Sequence, residues 1–248
     1  HPAGRQSGGT EESLAGVTIP ALRAALDRQI HREGLLIGAA GAITPARLAE
    51  AMEALFAPLP PGAPPALPPL PPFRPFGQEV IGLASPQSAV VFGQDGLPVR
   101  DPEWEAAQVA LRVLAGGGFT SRLMQAVRER RGLAYGIGAG LSVLFGHAVI
   151  AGSVATENAR VAETLAVLRE EWALMAANGP SEAELADAVA FLTGSMPLQF
   201  SDSRRIADTL VAMRQNGRPL DWLEGRAARL AALTQGRVAA VSARLLRP

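Results

Sequence analysis

The sequence has no cysteine, three histidines and a single tyrosine in 248 residues. Without thiols it can form no disulfide, thiolate metal site or cysteine nucleophile; the compartment stays open, since a cysteine-free chain suits oxidising and reducing surroundings alike. His1, His31 and His147 stand too far apart for one helix to offer two imidazoles to a metal. Neither His-Glu-x-x-His nor His-x-x-Glu-His occurs, so no metal ligand set is expected in this chain. Neither sign of charge is in excess: Lys plus Arg and Asp plus Glu both number 23, which gives no reason to expect nucleic acid or an anionic membrane surface as partner. No apolar run reaches the roughly 20 residues of a membrane span. Gly194-Ser195 lacks the flanking pattern of a nucleophile elbow, and Gly116 to Ser121 lacks the lysine of a phosphate loop. Gly136, Gly138 and Gly140 have the wrong spacing for a dinucleotide fingerprint. Adjacent carboxylates such as Glu11/Glu12 and Glu170/Glu171 splay apart on helices and read as solvated faces, as does Arg204-Arg205.

What is present centres on the stretch from Ala115 to Tyr135. Gly116, Gly117 and Gly118 end a helical pattern, because glycine propagates a helix poorly and enters the left-handed region freely. Thr120 or Ser121 is expected to cap a new helix with Leu123 and Val127 on one face. Arg128 falls near the end of that helix, and Gly132 stops it. Tyr135 is expected to open a strand in which Tyr135, Ile137, Ala139, Leu141, Val143 and Phe145 face one way. On the other side Gly136, Gly138 and Gly140 leave room for a second backbone. Arg128, leaving a helix, and Tyr135, entering a strand, can thus converge across one short turn.

Gly-Gly-Gly-Phe-Thr-Ser-Arg-Leu followed by Arg-Glu-Arg-Arg-Gly-Leu-Ala-Tyr strongly resembles the pitrilysin/insulinase-like family of zinc metallopeptidases, family M16. The likeness is to its second, non-zinc lobe, the inactive domain, with a fold like that of the mitochondrial processing peptidase. The resemblance implies that Arg128 and Tyr135 reach across a chamber to a peptide substrate, supported by the loop of Gly116, Gly117 and Gly118. It also implies that zinc is carried by a partner lobe or subunit, this chain holding no cofactor of its own, in a homo- or heterodimer. His1 to Leu14 resembles a segment midway through the family's first lobe, whose zinc motif would lie upstream. A chain beginning with histidine is expected to be a processed or truncated product. The bacterial cytoplasm and periplasm both remain open.

The length suits one large domain or one and a half small ones. The chain divides by pattern into 1–57, the end of a first lobe; 58–77, a connector; and 78–248, the second lobe. In the first part, helices are expected over Ile19 to Arg32 and from Thr44-Pro45 onward, with Leu48, Met52 and Leu55 inward. A short buried strand is expected over Leu35 to Gly41. Ten of the 20 prolines lie between Pro58 and Pro75, a density that suits an extended connector or, as the alternative, a proline-rich ligand. Beyond it, Gln78–Ala84 and Ser88–Gly93 read as strands, and Asp101-Pro102 opens a helix carrying Trp104, Ala107, Leu111 and Leu114. A turn at Phe145-Gly146-His147 leads to a second strand. Helical patterns follow around Leu168, from the Ser181/Glu184 capping box, and around Leu210, Trp222 and Val241.

Strands first and helices after predict an α+β fold, a mainly antiparallel sheet covered by helices. Three functions follow. One is a non-catalytic component that shapes a peptidase chamber and positions peptide through Arg128 and Tyr135. Another is a silent structural or assembly subunit, which needs neither residue. The third is the later part of an active peptidase with its zinc motif upstream.

Overall fold

The computed structural model describes residues 4–66, 68–69, 77–116, 118–144 and 146–247. Spatially the chain forms two compact units: 1–72 together with 199–217, and 73–198 together with 218–248.

In the first unit, α1 (Glu11–Ala15), α2 (Ile19–Gln29) and α3 (Pro45–Phe56) each start on a threonine whose hydroxyl accepts a helix-start N–H: Thr10, Thr18 and Thr44. Proline in the first turn of α2 and α3 costs no hydrogen bond, because those N–H groups have no partner within a helix anyway. The strand expected over Leu35 to Gly41 does not form. Among the described residues no neighbouring strand is present to receive its backbone groups, and Leu35, Leu36 and Ile37 stay exposed. Leu55 is also exposed rather than inward. What holds this segment is α7 (Ser203–Gln215): a side chain at Gly38 would stand 2.3 Å from the Ala207 carbonyl and 2.8 Å from Val211, so only glycine permits that approach. The prolines after residue 57 have no N–H to give, but their carbonyls are used. Pro60 and Gly62 accept from the backbones of Arg32 and Glu33, and the Arg32 side chain donates to Leu59 and Ala57. Residues 67, 70–76 and 1–3 lie outside the described set, so the connector is seen only in part.

The second unit is built on one three-stranded antiparallel sheet of order β1–β3–β2: β1 (Gln87–Asp95), β2 (Ile137–Leu144) and β3 (His147–Glu157). The extra strand expected over Gln78–Ala84 is absent. Val80, Ile81 and Leu83 are largely exposed and pair with no strand among the described residues. α4 (Trp104–Leu111) lies under the sheet, buried along Ala106, Ala107, Val109, Ala110 and Leu111; alanine here lets neighbours come close on several sides. It runs into a π-helical turn, Arg112–Gly116, that carries Leu114 into the core.

α5 (Val161–Asn178), α6 (Glu182–Gly194), α8 (Arg226–Ala231) and α9 (Gln235–Leu245) complete the cover. Val167, Trp172, Met175, Leu230, Val238 and Val241 join Leu114, Leu123, Val127 and Ile150 in one hydrophobic core. Phe92 of β1 meets Trp172 edge to face at 5.8 Å. Its ring fills the space that Gly152 leaves open on β3, where a Cβ would lie 2.4 Å from Phe92 and 2.5 Å from the Gly138 carbonyl. The fold is therefore α+β, with an antiparallel sheet covered by helices, as the order of patterns implies.

Candidate functional site

The site is assembled between the end of α4 and the start of β2. Gly118 sits at φ +59°, a left-handed conformation that turns the chain into a short 3-10 turn, Gly118–Thr120. Gly117, the middle of the triple glycine, lies outside the described residues. Ser121 does not cap the following helix. Its buried hydroxyl turns back and donates to the Gly118 carbonyl at 3.0 Å, closing the loop on itself. The helix that follows is π-wound over Met124–Glu129, with Leu123 and Val127 fully buried. That widening is carried into its end: Gly132, at φ +56°, donates its N–H to Arg128 and Leu133 donates to Val127, a broadened form of the glycine-ended helix stop.

Tyr135 precedes the sheet rather than opening it, since β2 starts at Ile137. With no strand partner its ring stands out in solvent, 84% exposed. The sheet begins where Ile137 can be buried and its N–H can meet the Met124 sulfur at 3.4 Å. The Ala115 backbone does approach Gly138, but a Cβ there would meet its carbonyl at an ordinary 3.5 Å contact, and Gly136 and Gly140 face open space, so none of the three has to be glycine to admit a second backbone.

Arg128 and Tyr135 are brought together. The guanidinium carbon of Arg128 lies over the Tyr135 ring, 4.5 Å from its centroid. It lies equally close, 4.5 Å, over the ring of Phe119. Such contacts hold a cation by the ring's quadrupole and leave its N–H groups unspent. On one side Nε faces Glu129 Oε1 at 3.4 Å. Among the described residues, no hydrogen bond is made by the terminal N–H groups of Arg128 or by the Tyr135 hydroxyl.

A shell of polar contacts fixes this geometry. Arg160 donates to the carbonyls of Arg131 and Gly132, and the buried Thr156 hydroxyl donates to Leu133 at 2.6 Å; together they hold the turn that carries Tyr135. Gln125 donates to the Phe119 carbonyl at 2.6 Å. Arg122 grips Glu184 with two bonds of 2.7 Å and the Gly179 carbonyl with a third, tying the glycine loop to the start of α6. The Arg122 guanidinium, helped by Ser181, brings the Glu184 carboxyl down to about 2 against the opposing effect of burial. Of this shell, sequence reasoning named only Glu184, for its capping box with Ser181. Phe119, Thr156 and Arg160 were missed. Phe119 carried a signal, a large apolar residue inside a glycine turn; the other two act from 21 and 25 residues beyond Tyr135 and carried none.

Among the described residues no three His, Cys, Asp or Glu side chains gather as a metal site. His31 directs its two ring nitrogens to the carbonyls of Pro61 and Arg28, and His147 begins β3 just after the hairpin turn. No helix among the described residues is long and apolar enough to cross a membrane.

Comparison with known proteins gives the family of the chain. The model of the peptidase M16 inactive domain matches residues 16–192, a span that contains Phe119, Arg128 and Tyr135. An uncharacterised zinc protease of Mycobacterium leprae is 28% identical over 207 residues, covering 82% of this chain and 46% of that protein. Another from Streptomyces coelicolor is 34% identical over 125 residues, covering 50% of this chain and 27% of its own length. The chain thus spans less than half the length of these curated relatives. The crystal structure of a peptidase M16 inactive domain from Pseudomonas fluorescens superimposes over all of this chain and 59% of its own, with a TM-score of 0.78 and 26% identity. A helix-covered antiparallel sheet, with the family model matching residues 16–192, leads to one assignment: the chain belongs to the peptidase M16 family and contains its inactive domain.

Proposed function

We propose that this chain is a non-catalytic component of an M16-type peptidase, shaping the proteolytic chamber and offering Arg128 and Tyr135 to the peptide substrate. One observation carries the reading. Arg128 is oriented by two rings, while its terminal N–H groups and the Tyr135 hydroxyl have no hydrogen-bond partner among the described residues. Those donors suit peptide carbonyls, or an oxyanion as charge develops on it. Arginine is the apt cation, because it keeps its charge and its planar fork fixes the direction of its hydrogen bonds. The zinc of the relatives' names belongs, in this reading, to another lobe or subunit, since no three potential ligands gather as a metal site among the described residues. Residues 58–77 then connect the end of the first lobe to the second, and the working assembly pairs this chain with a zinc-bearing lobe or subunit.

The test is kinetic, with the zinc-bearing half present. Arg128→Ala and Tyr135→Phe should each lower kcat/KM at least about tenfold, or about 1.4 kcal/mol of transition-state binding. The double variant should lose less than the product of the two, because both donors serve one substrate backbone. Turnover close to wild type in the double variant would move the chain to the purely structural role.

A further inference from the structure

We propose that Phe119 is a positioning and specificity residue of this site, bracing Arg128 together with Tyr135 and offering an apolar wall to a bulky side chain of the bound peptide. The proposal rests on the peptide-binding reading of Arg128 and Tyr135. Its starting point is an oddity of exposure: Phe119 is 58% exposed although its backbone is pinned. Gly118 turns the chain, Ser121 locks the turn through its hydroxyl and N–H, and Gln125 holds the Phe119 carbonyl. A large apolar side chain held in water by a well-bonded loop does nothing for the core of this unit.

What Phe119 touches is Arg128. Its ring and that of Tyr135 are equidistant from the guanidinium carbon, at 4.5 Å. A flexible arginine side chain loses much rotamer freedom when it grips a ligand. Two rings that restrict it beforehand reduce that loss, and they do so without occupying its donors. With Glu129 beside Nε, the terminal N–H groups remain the part of the fork available to a carbonyl. The rings next to it are mostly exposed, so the surface beside the gripped carbonyl is aromatic. The substrate class that fits is an extended peptide with an aromatic or branched aliphatic side chain next to that carbonyl. A polar side chain there would be desolvated without a partner.

Two measurements on Phe119→Ala and Phe119→Tyr test this. The first is NMR of the arginine side chains of the chain itself, with the Arg128 Nε–H assigned through Arg128→Lys. Ring currents from two aromatic neighbours should place that proton upfield. Phe119→Ala should move it downfield more than any other arginine Nε–H, and Phe119→Tyr should leave it near the wild-type position. The second uses the assembly with the zinc-bearing half and two peptides that differ only by Phe or Ser beside the bound carbonyl. Phe119→Ala should lower kcat/KM for the Phe peptide by about tenfold and reduce the Phe-over-Ser preference by a similar factor, with Phe119→Tyr restoring both to within about twofold.

An unmoved Arg128 signal in Phe119→Ala overturns the bracing role. Unchanged peptide preference, in an assembly where Arg128→Ala still loses activity, overturns the specificity role and leaves the peptide-binding reading intact. If Arg128→Ala itself keeps full turnover, the peptide-binding reading fails and the specificity role falls with it.

Discussion

At the scale of single residues, the Arg128–Tyr135 arrangement depends on groups outside the pair. Thr156 is the clearest case: its hydroxyl satisfies the Leu133 carbonyl and also receives the Thr164 hydroxyl at 3.3 Å, all within buried surroundings. Thr156→Val keeps the shape but strands an acceptor, so the variant should lose about 1–3 kcal/mol of stability, read as a lower midpoint in chemical denaturation. Glu184 gives a second prediction, with its sign set by the direction of its shift. Its folded value, about 2, lies below the ordinary 4.5, so the Arg122 pairing stabilises the fold above the ordinary value and is lost as pH falls towards 2. Thermal midpoints measured across that interval should fall less steeply in Glu184→Gln than in wild type. A parallel fall in the two proteins would show that the pairing contributes nothing to the acid sensitivity. Arg128 and Tyr135 were legible as a pair from the sequence because their partners are local: a glycine loop, a glycine stop and a separation of seven positions. Phe119, Thr156 and Arg160 were not, because their roles are set by where a ring points and where β3 ends.

At the scale of elements, helices were the more readable part. First-turn prolines, the Thr44 cap and the Ser181/Glu184 box are short-range chemistry, and the helices expected from Ile19, Pro45 and Ser181 start there, whereas the short Thr10-capped α1 was not anticipated. The strands that failed share one cause. Leu35 to Gly41 and Gln78 to Ala84 have strand-like composition, but a strand exists only with a neighbour, and no residue pattern supplies one. Tyr135 failed as a strand opener for a related reason: the ladder with β3 ends where Ile137 meets Val154. The hairpin of β2 and β3 also explains a glycine that periodicity could not. Gly152 lies beneath the Phe92 ring and the Gly138 carbonyl, so Gly152→Ala should cost about 2 kcal/mol or more by overpacking. Adding Phe92→Leu should recover only part of that loss, because the carbonyl stays in place; full recovery would show that the ring alone sets the limit.

For the whole molecule, composition set limits early: the absence of cysteine removes thiolate chemistry, and the three histidines are scattered along the chain. The purified chain should therefore retain no stoichiometric zinc after dialysis, as metal analysis would show; about one zinc per chain would point to a ligand set outside the described residues. The sequence pattern gave no sign that 199–217 would group with the opening residues. That grouping rests on contacts such as Gly38 under α7, made across more than 160 residues of sequence. The two units differ sharply in their interiors. In the first, Met213 is the single buried large hydrophobic side chain among the described residues, whereas the second encloses the whole aliphatic core. Because the heat capacity released on unfolding scales with the apolar surface that becomes wet, nearly all of it should come from the second unit. In a calorimeter the first unit would melt broadly with little excess heat, and the sharp endotherm would report on the second alone.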